Sequence, residues 1–202
     1  LGILGIGSMG RHHVRNARAT AGVDLVVLAD PGGDRFGVAG DLPVLGGVEE
    51  LVEAGIDAAI IAAPTAHHEA AALALAEAGV HTLVEKPLAT SVEAGRRIRD
   101  AFAAAGLVGA VGYVERCNPA LIDMRRRIAE GQLGAIEQIA TRRQSPFPAR
   151  ISDVGVVKDL ATHDVDLAAW VAGAPYESIY ARTSARSGRV HEDMMVASGV
   201  LA

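Results

Sequence analysis

The residues whose types and spacing best define a chemistry lie at the start of the chain. Gly5, Gly7 and Gly10 form the pattern G-x-G-x-x-G between a short apolar run and a helical pattern. In that context the glycines permit a tight turn, close approach of a pyrophosphate and close packing of helix on strand, with the phosphates at the helix N-terminus. Asp30 lies about twenty residues further on, where a carboxylate bonds the adenosine ribose and repels a 2′-phosphate. The alternative is a glycine-rich turn with a solvated aspartate.

This pattern predicts a site for NAD, with NADP disfavoured. The predicted cofactor-binding residues in this part of the chain are Gly5, Gly7, Ser8, Met9, Gly10 and Asp30.

Three further residues have side chains suited to moving a proton. Lys86 is one of only two lysines among 19 basic residues, and a compact ammonium is more readily tuned than a guanidinium. Asp159 and His163 are four residues apart, which places them on one face of a helix, one turn apart. Histidine titrates near neutrality and is the natural base for removing a hydroxyl proton. No spacing of His, Cys, Asp or Glu is typical of a metal site.

Strands and helices must alternate to carry these residues. Apolar runs predict strands, and helical patterns lie between them, with Thr65 and Ser91 as expected N-caps and Gly79 and Gly106 as helix ends. The predicted strands are residues 1–6, 23–29, 42–45, 57–63, 80–84 and 107–113. The fold class is therefore α/β, an N-terminal Rossmann domain with a doubly wound parallel sheet.

The alternation changes after Val114. The patterns predict helices at 119–130 and 159–172, and strands at 135–143, 178–184 and 194–201. We expect a Rossmann domain at 1–114 and an α+β domain at 115–202, whose open, mostly antiparallel sheet is incomplete at the C-terminus.

Composition limits the class of protein. The chain has 202 residues, half of them apolar, a net charge of −5 and one cysteine. The charge argues against nucleic acid or an anionic membrane as the main partner, and the single cysteine, expected to be buried, fits a cytoplasmic protein. The apolar run at 58–63 is too short to span a bilayer.

Four segments together resemble the Gfo/Idh/MocA oxidoreductases. They are Glu85-Lys86-Pro87, the segment from Pro64 to His68, residues 113–119 (YVERCNP) and the D-x-x-x-H-x-x-D pattern that begins at Asp159. The resemblance covers essentially the whole chain. It implies a Rossmann domain followed by a second domain that continues beyond residue 202.

The resemblance also implies roles. His163 would be the acid/base, Asp159 would help to hold the substrate, and Lys86 would bond the reacting oxygen and favour its deprotonation. The Lys–Pro bond of the family is typically cis. The residues implied to line the cofactor are Pro64, Thr65, His68, Glu85 and Lys86.

Residues 115–119 and 141–151 resemble the branch of the family that includes UDP-N-acetylglucosamine 3-dehydrogenases, although Cys117 stands where that branch usually has Phe. Arginines suit a diphosphate because they form bidentate hydrogen bonds. The candidate substrate-binding residues are Arg116, Asn118 and Arg150, with Arg143 as a further candidate. A surface role for each arginine stays open.

The leading hypothesis is an NAD-dependent dehydrogenase that oxidises a secondary hydroxyl of a sugar or cyclitol, with C3 of a UDP-N-acetylhexosamine as a candidate. A glycoside hydrolase that oxidises its substrate transiently is an alternative, since it needs the same lysine and histidine. A non-catalytic NAD-binding sensor is another. The resemblance implies a homodimer or homotetramer formed through the second domain.

Overall fold

A computed structural model describes residues 1–145, 154–188 and 190–202. The chain divides into two compact units, Leu1–Gly112 and Tyr113–Ala202. Each unit is described by itself below.

The first unit is built on a parallel sheet of six strands in the order β3-β2-β1-β4-β5-β6. The strands are β1 (Gly2–Leu4), β2 (Val27–Ala29), β3 (Val44–Leu45), β4 (Ala58–Ile61), β5 (His81–Val84) and β6 (Gly109–Val111). All neighbouring pairs are parallel, for example Ile3 opposite Leu28 on one side and Ile60 on the other. The direction of winding reverses between β1 and β4, which is the place where open α/β sheets bind ligands. The predicted doubly wound sheet is confirmed.

Helices connect these strands. They are α1 (Gly10–Ala19), α2 (Val48–Glu53), α3 (His68–Glu77) and α4 (Val92–Ala104). Ser91 caps α4 as predicted, because its side-chain oxygen accepts a hydrogen bond from the amide of Ala94 at 3.2 Å. Gly79 and Gly106, with φ of +77° and +65°, follow the ends of α3 and α4 as predicted.

Two apolar layers cover the sheet, one on each face. Leu4, Ile61, Leu75 and Phe102 belong to one layer, and Ile3, Ile6, Val14 and Leu28 belong to the other. Ile3 and Leu4 enter opposite layers because successive side chains of a strand alternate between its faces. Leu51 and Leu75 are fully buried. Truncation of such a leucine to alanine costs about 2–5 kcal/mol of stability.

The second unit contains two helices and a hairpin-like sheet. The helices are α5 (Pro119–Ala129) and α6 (Thr162–Ala172), and a π-helical turn, Val157–Ala161, leads into α6. The strands β7 (Tyr176–Ser184) and β8 (Met194–Leu201) pair in antiparallel register, with Tyr180 opposite Ser198. Arg125 of α5 stacks over the Trp170 ring of α6 at 4.5 Å, which ties the two helices together.

Four sequence predictions about local structure were wrong. Residues 135–143 form no strand, because the strands in the described part of the second unit pair only with each other. Thr65 does not cap α3; it begins a 3₁₀ turn, Thr65–His67, and α3 starts at His68. The helix predicted from Asp159 is π-helical until Ala161. Cys117 is exposed rather than buried.

Candidate cofactor and catalytic site

The glycine turn follows β1 at the carboxyl edge of the sheet. Gly5 has φ of +84°, and a Cβ at this position would lie 2.6 Å from the backbone nitrogen of Ala63, so the turn after β1 touches the turn after β4. A Cβ on Gly10 would overlap the carbonyl oxygen of Gly5. These two positions accept only glycine, because the chain must pass close to itself.

Gly7 differs from these two glycines. A Cβ on Gly7 would meet no atom within 4 Å, so the space beside it is open. Ser8 and Met9 next to it are exposed, and α1 begins immediately afterwards, at Gly10. The N-terminal end of a helix carries partial positive charge and attracts phosphate. The turn therefore fits the pyrophosphate of a dinucleotide.

Asp30 follows β2 and braces the glycine turn. Its Oδ2 accepts a hydrogen bond from the amide of Ile6 at 3.0 Å, and its Oδ1 accepts one from the amide of Gly32 at 2.8 Å. Each carboxylate oxygen has a second lone pair, so a ribose hydroxyl can still donate to it. Arg35 folds back and donates from Nε to the carbonyl of Gly32 at 3.3 Å.

The segment after β4 contains Pro64 and Thr65 at the surface edge and His68 in the interior. His68 is 1% exposed, and its ring nitrogens lie 3.0 Å from the carbonyl oxygen of Pro87 and 2.8 Å from that of Ala63. The imidazole therefore joins the loop after β4 to the loop after β5. The His68 side chain is thus buried between these two loops and is not exposed on the surface of a pocket.

Glu85 and Lys86 follow β5, next to β4 in the sheet. The peptide bond between Lys86 and Pro87 is cis, as the family resemblance implied. Glu85 is 5% exposed; its Oε1 lies 2.8 Å from Nε2 of His13, and its Oε2 accepts the amide of Lys86 at 3.1 Å. Burial raises the pKa of the Glu85 carboxyl, but the hydrogen bonds and positive charges of His13 and Lys86 together outweigh burial and hold this pKa below its ordinary value.

The second unit carries Asp159 and His163 at the start of α6. Asp159 lies in the π-helical turn and its amide donates to the carbonyl of Gly155 at 3.0 Å, while His163 lies in the first turn of α6. Glu192 fixes this turn from the segment before β8: its carbonyl accepts the amide of Val156 at 2.9 Å, and its side chain accepts the amide of Val157 at 3.1 Å.

The candidate substrate arginines are paired with carboxylates. Arg116 makes a bidentate contact with Asp166, at 2.8 Å from Nε and 2.5 Å from a terminal nitrogen. These hydrogen bonds raise the pKa of the Arg116 guanidinium, against the effect of its partial burial. Arg143 bridges Glu115 at 2.9 Å and Asp164 at 3.1 Å.

Of the other two candidate substrate-binding residues, one lies in the described part of the chain. The Asn118 side chain caps α5 by accepting the amide of Ala120 at 3.1 Å. Arg150 lies outside the described residues.

The first unit thus brings most predicted residues to one edge. The glycine turn, Asp30, the Pro64–Thr65 segment and Glu85-Lys86 all follow the carboxyl ends of parallel strands. Asp159 and His163 share one short segment of the second unit. His13 and Glu192 were missed as contact residues. The position of His13, three residues after Gly10, could have indicated that it lies near the glycine turn. No sequence feature indicated the contacts of Glu192.

None of the helices in residues 1–145, 154–188 and 190–202 combines the length and hydropathy that crossing a bilayer demands. Within these same ranges no three His, Cys, Asp or Glu side chains are grouped so that they would hold a metal ion.

A glycine turn, an acidic residue after the second strand and a strand reversal between β1 and β4 define a dinucleotide-binding Rossmann domain followed by a second unit. Residues 1–113 match the oxidoreductase family GFO_IDH_MocA, described as having an NAD-binding Rossmann fold, and residues 121–201 match the C-terminal domain of that family. The chain belongs to the Gfo/Idh/MocA oxidoreductase family, and the predicted family and NAD cofactor are confirmed.

Known proteins similar to this chain include dehydrogenases of inositols and of a nucleotide sugar. Scyllo-inositol 2-dehydrogenase (NAD(+)) of Bacillus subtilis is 33% identical over 88% of this chain and 55% of its own length. The solved structure of UDP-N-acetylglucosamine 3-dehydrogenase GnnA from Acidithiobacillus ferrooxidans is 30% identical with a TM-score of 0.86, over 99% of this chain and 62% of that one.

A second solved structure has bound ligands. The WlbA dehydrogenase of Bordetella pertussis in complex with NADH and UDP-GlcNAcA is 28% identical with a TM-score of 0.82, over 98% of this chain and 62% of that one. The chain spans between 54% and 59% of the length of three curated relatives that it matches.

Proposed function

We propose that this chain is part of an enzyme that oxidises a secondary hydroxyl of a sugar or cyclitol and passes the hydride to NAD⁺. The observation that carries the proposal is the placement of Lys86. It follows β5 at the carboxyl edge of the sheet, the edge that also holds the glycine turn, and its backbone is fixed by Glu85. The family resemblance implies that Lys86 lines the cofactor, and its ammonium can also bond a hydroxyl oxygen, which the glycine turn and Asp30 cannot do in the same way.

The cofactor and the side chains have different parts in the proposed reaction. When bound, NAD⁺ accepts the hydride from the carbon that carries the hydroxyl. The Lys86 ammonium donates a hydrogen bond to the hydroxyl oxygen and stabilises the negative charge that develops there. The imidazole of His163 accepts the hydroxyl proton, and Asp159 orients the substrate. The carbon thus loses a hydride and the oxygen a proton, which leaves a ketone.

Two substrate classes are supported by different observations. The similarity to the WlbA dehydrogenase, solved with UDP-GlcNAcA, supports a nucleotide sugar, and the similarity to UDP-N-acetylglucosamine 3-dehydrogenase supports oxidation at C3. The pairing of Arg116 with Asp166 and of Arg143 with Glu115 and Asp164 supports an uncharged cyclitol, because a diphosphate would have to displace these carboxylates. The similarity to inositol dehydrogenases agrees with the second class.

The test is a turnover assay with NAD⁺ and a panel that contains UDP-N-acetylglucosamine, myo-inositol and scyllo-inositol. NADH absorbance and the products are followed together. We expect NADH and a ketone from one member of the panel. Cleavage of a glycosidic bond without NADH would instead establish the transient-oxidation hydrolase.

Alanine variants of the two candidate catalytic residues and of one control residue test which side chains the reaction requires. Lys86→Ala and His163→Ala should each lower kcat by at least about a hundredfold, the scale of general acid–base catalysis, while NAD binding survives. Lys158→Ala is the matched control, since it removes the other lysine of the chain, and it should leave kcat unchanged. Wild-type turnover in Lys86→Ala would remove this residue from the reaction.

A further inference from the structure

His13 and Glu85 form a largely buried hydrogen bond that cofactor binding by the glycine turn does not require. His13 lies on α1, one turn after its start at Gly10, and Glu85 lies at the end of β5. Nε2 of His13 is 2.8 Å from Oε1 of Glu85, and the two side chains are 16% and 7% exposed. Because an ionised carboxylate only accepts hydrogen bonds, the imidazole is the donor.

The second oxygen of the same carboxylate contacts the backbone of Lys86. Its Oε2 accepts the Lys86 amide at 3.1 Å. Gly112, after β6, leaves room for this carboxylate: a Cβ there would lie 3.0 Å from the Glu85 carboxyl carbon. The carboxylate is therefore packed between α1, the end of β5 and the segment after β6.

A carboxylate buried to this degree needs a partner at each oxygen, because removing a charge from water without compensation is costly. One oxygen is satisfied by the helix that starts at the glycine turn, and the other by the peptide of the lysine. The carboxylate thus links those two elements.

We propose that His13 is a positioning residue that, through Glu85, fixes the backbone of Lys86 to the helix that begins at the dinucleotide turn. The consequence for catalysis rests on the proposed function, whereas the link itself does not. Glu85 is 5% exposed, and its carboxylate is enclosed by His13, the Lys86 amide and Gly112, so the glutamate acts through Lys86 rather than by contact with the cofactor. The family resemblance implied that Glu85 lines the cofactor, and His13 was not among the residues predicted to have a role.

The first measurement needs no substrate. Amide hydrogen exchange at Lys86 is compared in wild-type protein and in variants of His13, because the Glu85 carboxylate accepts this amide and loss of that hydrogen bond should speed its exchange. His13→Leu should raise the exchange rate by about tenfold or more, the scale of one hydrogen bond to a charged group. His13→Gln, whose amide can donate to the same oxygen, should restore the wild-type rate.

The neighbouring histidine gives a matched control. His12→Gln makes the same change one residue earlier on α1 and should leave exchange at Lys86 unaltered. If His13→Leu does not fold, Glu85→Ala provides the second variant: it removes both acceptor oxygens, so the Lys86 amide loses its partner and its exchange rate should rise. Unchanged exchange at Lys86 in the folded variants would overturn the proposal.

The second measurement separates positioning from support of the fold. We expect His13→Leu to lower kcat by about tenfold or more with little change in the KM for NAD⁺, and His13→Gln to recover most of kcat. A rise in that KM with an unaltered kcat would overturn the positioning role. Absence of turnover in wild-type protein would count against the proposed function alone, because the exchange measurement still decides whether His13 holds Lys86.

Discussion

The three glycines of the dinucleotide turn have different structural roles. Gly5 and Gly10 are required by contact of the chain with itself, whereas Gly7 borders open space. Their substitution by alanine should therefore have opposite consequences for stability and for binding.

Gly10→Ala should lower the free energy of unfolding by about 1–3 kcal/mol, because the added methyl overlaps the Gly5 carbonyl and the backbone must shift. Gly7→Ala should change it by less than about 0.5 kcal/mol but raise the Kd for NAD⁺ by about tenfold, because the methyl occupies the space for the phosphates. Urea unfolding and a fluorescence titration with NADH measure the two quantities. Equal loss of stability in both variants would refute the distinction.

Asp30 should set the preference between the two dinucleotides. Asp30→Asn removes the charge and keeps one oxygen, so repulsion of a 2′-phosphate should fall and the ratio of Kd for NADP⁺ to Kd for NAD⁺ should fall by about tenfold. The comparison needs only the binding titration. A ratio equal to that of wild-type protein would show that the carboxylate does not face the ribose.

At the scale of elements, Ser91 illustrates a helix start that sequence alone predicts correctly. Ser91→Ala should lower the free energy of unfolding by about 1 kcal/mol, since the amide of Ala94 loses its acceptor. Ser91→Asp should retain most of the stability, because aspartate caps equally well. A lower urea midpoint for both variants alike would assign the loss to something other than the cap.

The alternation of apolar runs and capped helices was enough to predict the first unit, because the central strands β1 and β2 bury both faces and leave a continuous apolar signal. The same reasoning failed at residues 135–143. Their content of isoleucine and threonine satisfies a local pattern, but a strand forms only where another strand supplies its hydrogen bonds. The π-helical turn at Val157–Ala161 was equally hidden, because side-chain spacing does not distinguish its backbone bonds from those of an α-helix.

The residues of the candidate site that belong to a local sequence motif could be predicted, whereas contacts between distant parts of the chain could not. Gly10 and Asp30 follow from local spacing, whereas Lys86 follows from the family resemblance and the scarcity of lysine in the chain. The ion pairs of Arg116 and Arg143 join residues 50 and 21 positions apart, so no local pattern announces them. The contact between His13 and Glu85, 72 positions apart, was missed for the same reason.

At the scale of the whole molecule, Glu85 should couple stability to acid. Its pKa in the folded protein lies below the ordinary value of 4.5, so its contribution to stability is present above that pH and is lost as the pH falls through the folded-state pKa. The difference in unfolding free energy between wild-type protein and Glu85→Gln should therefore be largest near neutral pH and shrink below about pH 4.5. Urea unfolding across this range measures it.

The control for that titration is Glu53→Gln, a change at an exposed position on α2. A constant difference between wild-type protein and Glu85→Gln at every pH would show that the carboxylate charge is not what stabilises the fold.

The hydrogen bond from the Ile6 amide to Asp30 limits how the cofactor preference of this protein can be redesigned. Asp30, the residue predicted to discriminate between the dinucleotides, also holds the turn predicted to receive their phosphates. A substitution that removes this side chain to admit a 2′-phosphate also removes the acceptor of the Ile6 amide. We therefore expect the affinity for both cofactors to fall even though the preference shifts towards NADP. A successful switch to NADP therefore keeps an acceptor for the Ile6 amide, as a serine at position 30 would, and introduces its cation elsewhere in the loop after β2.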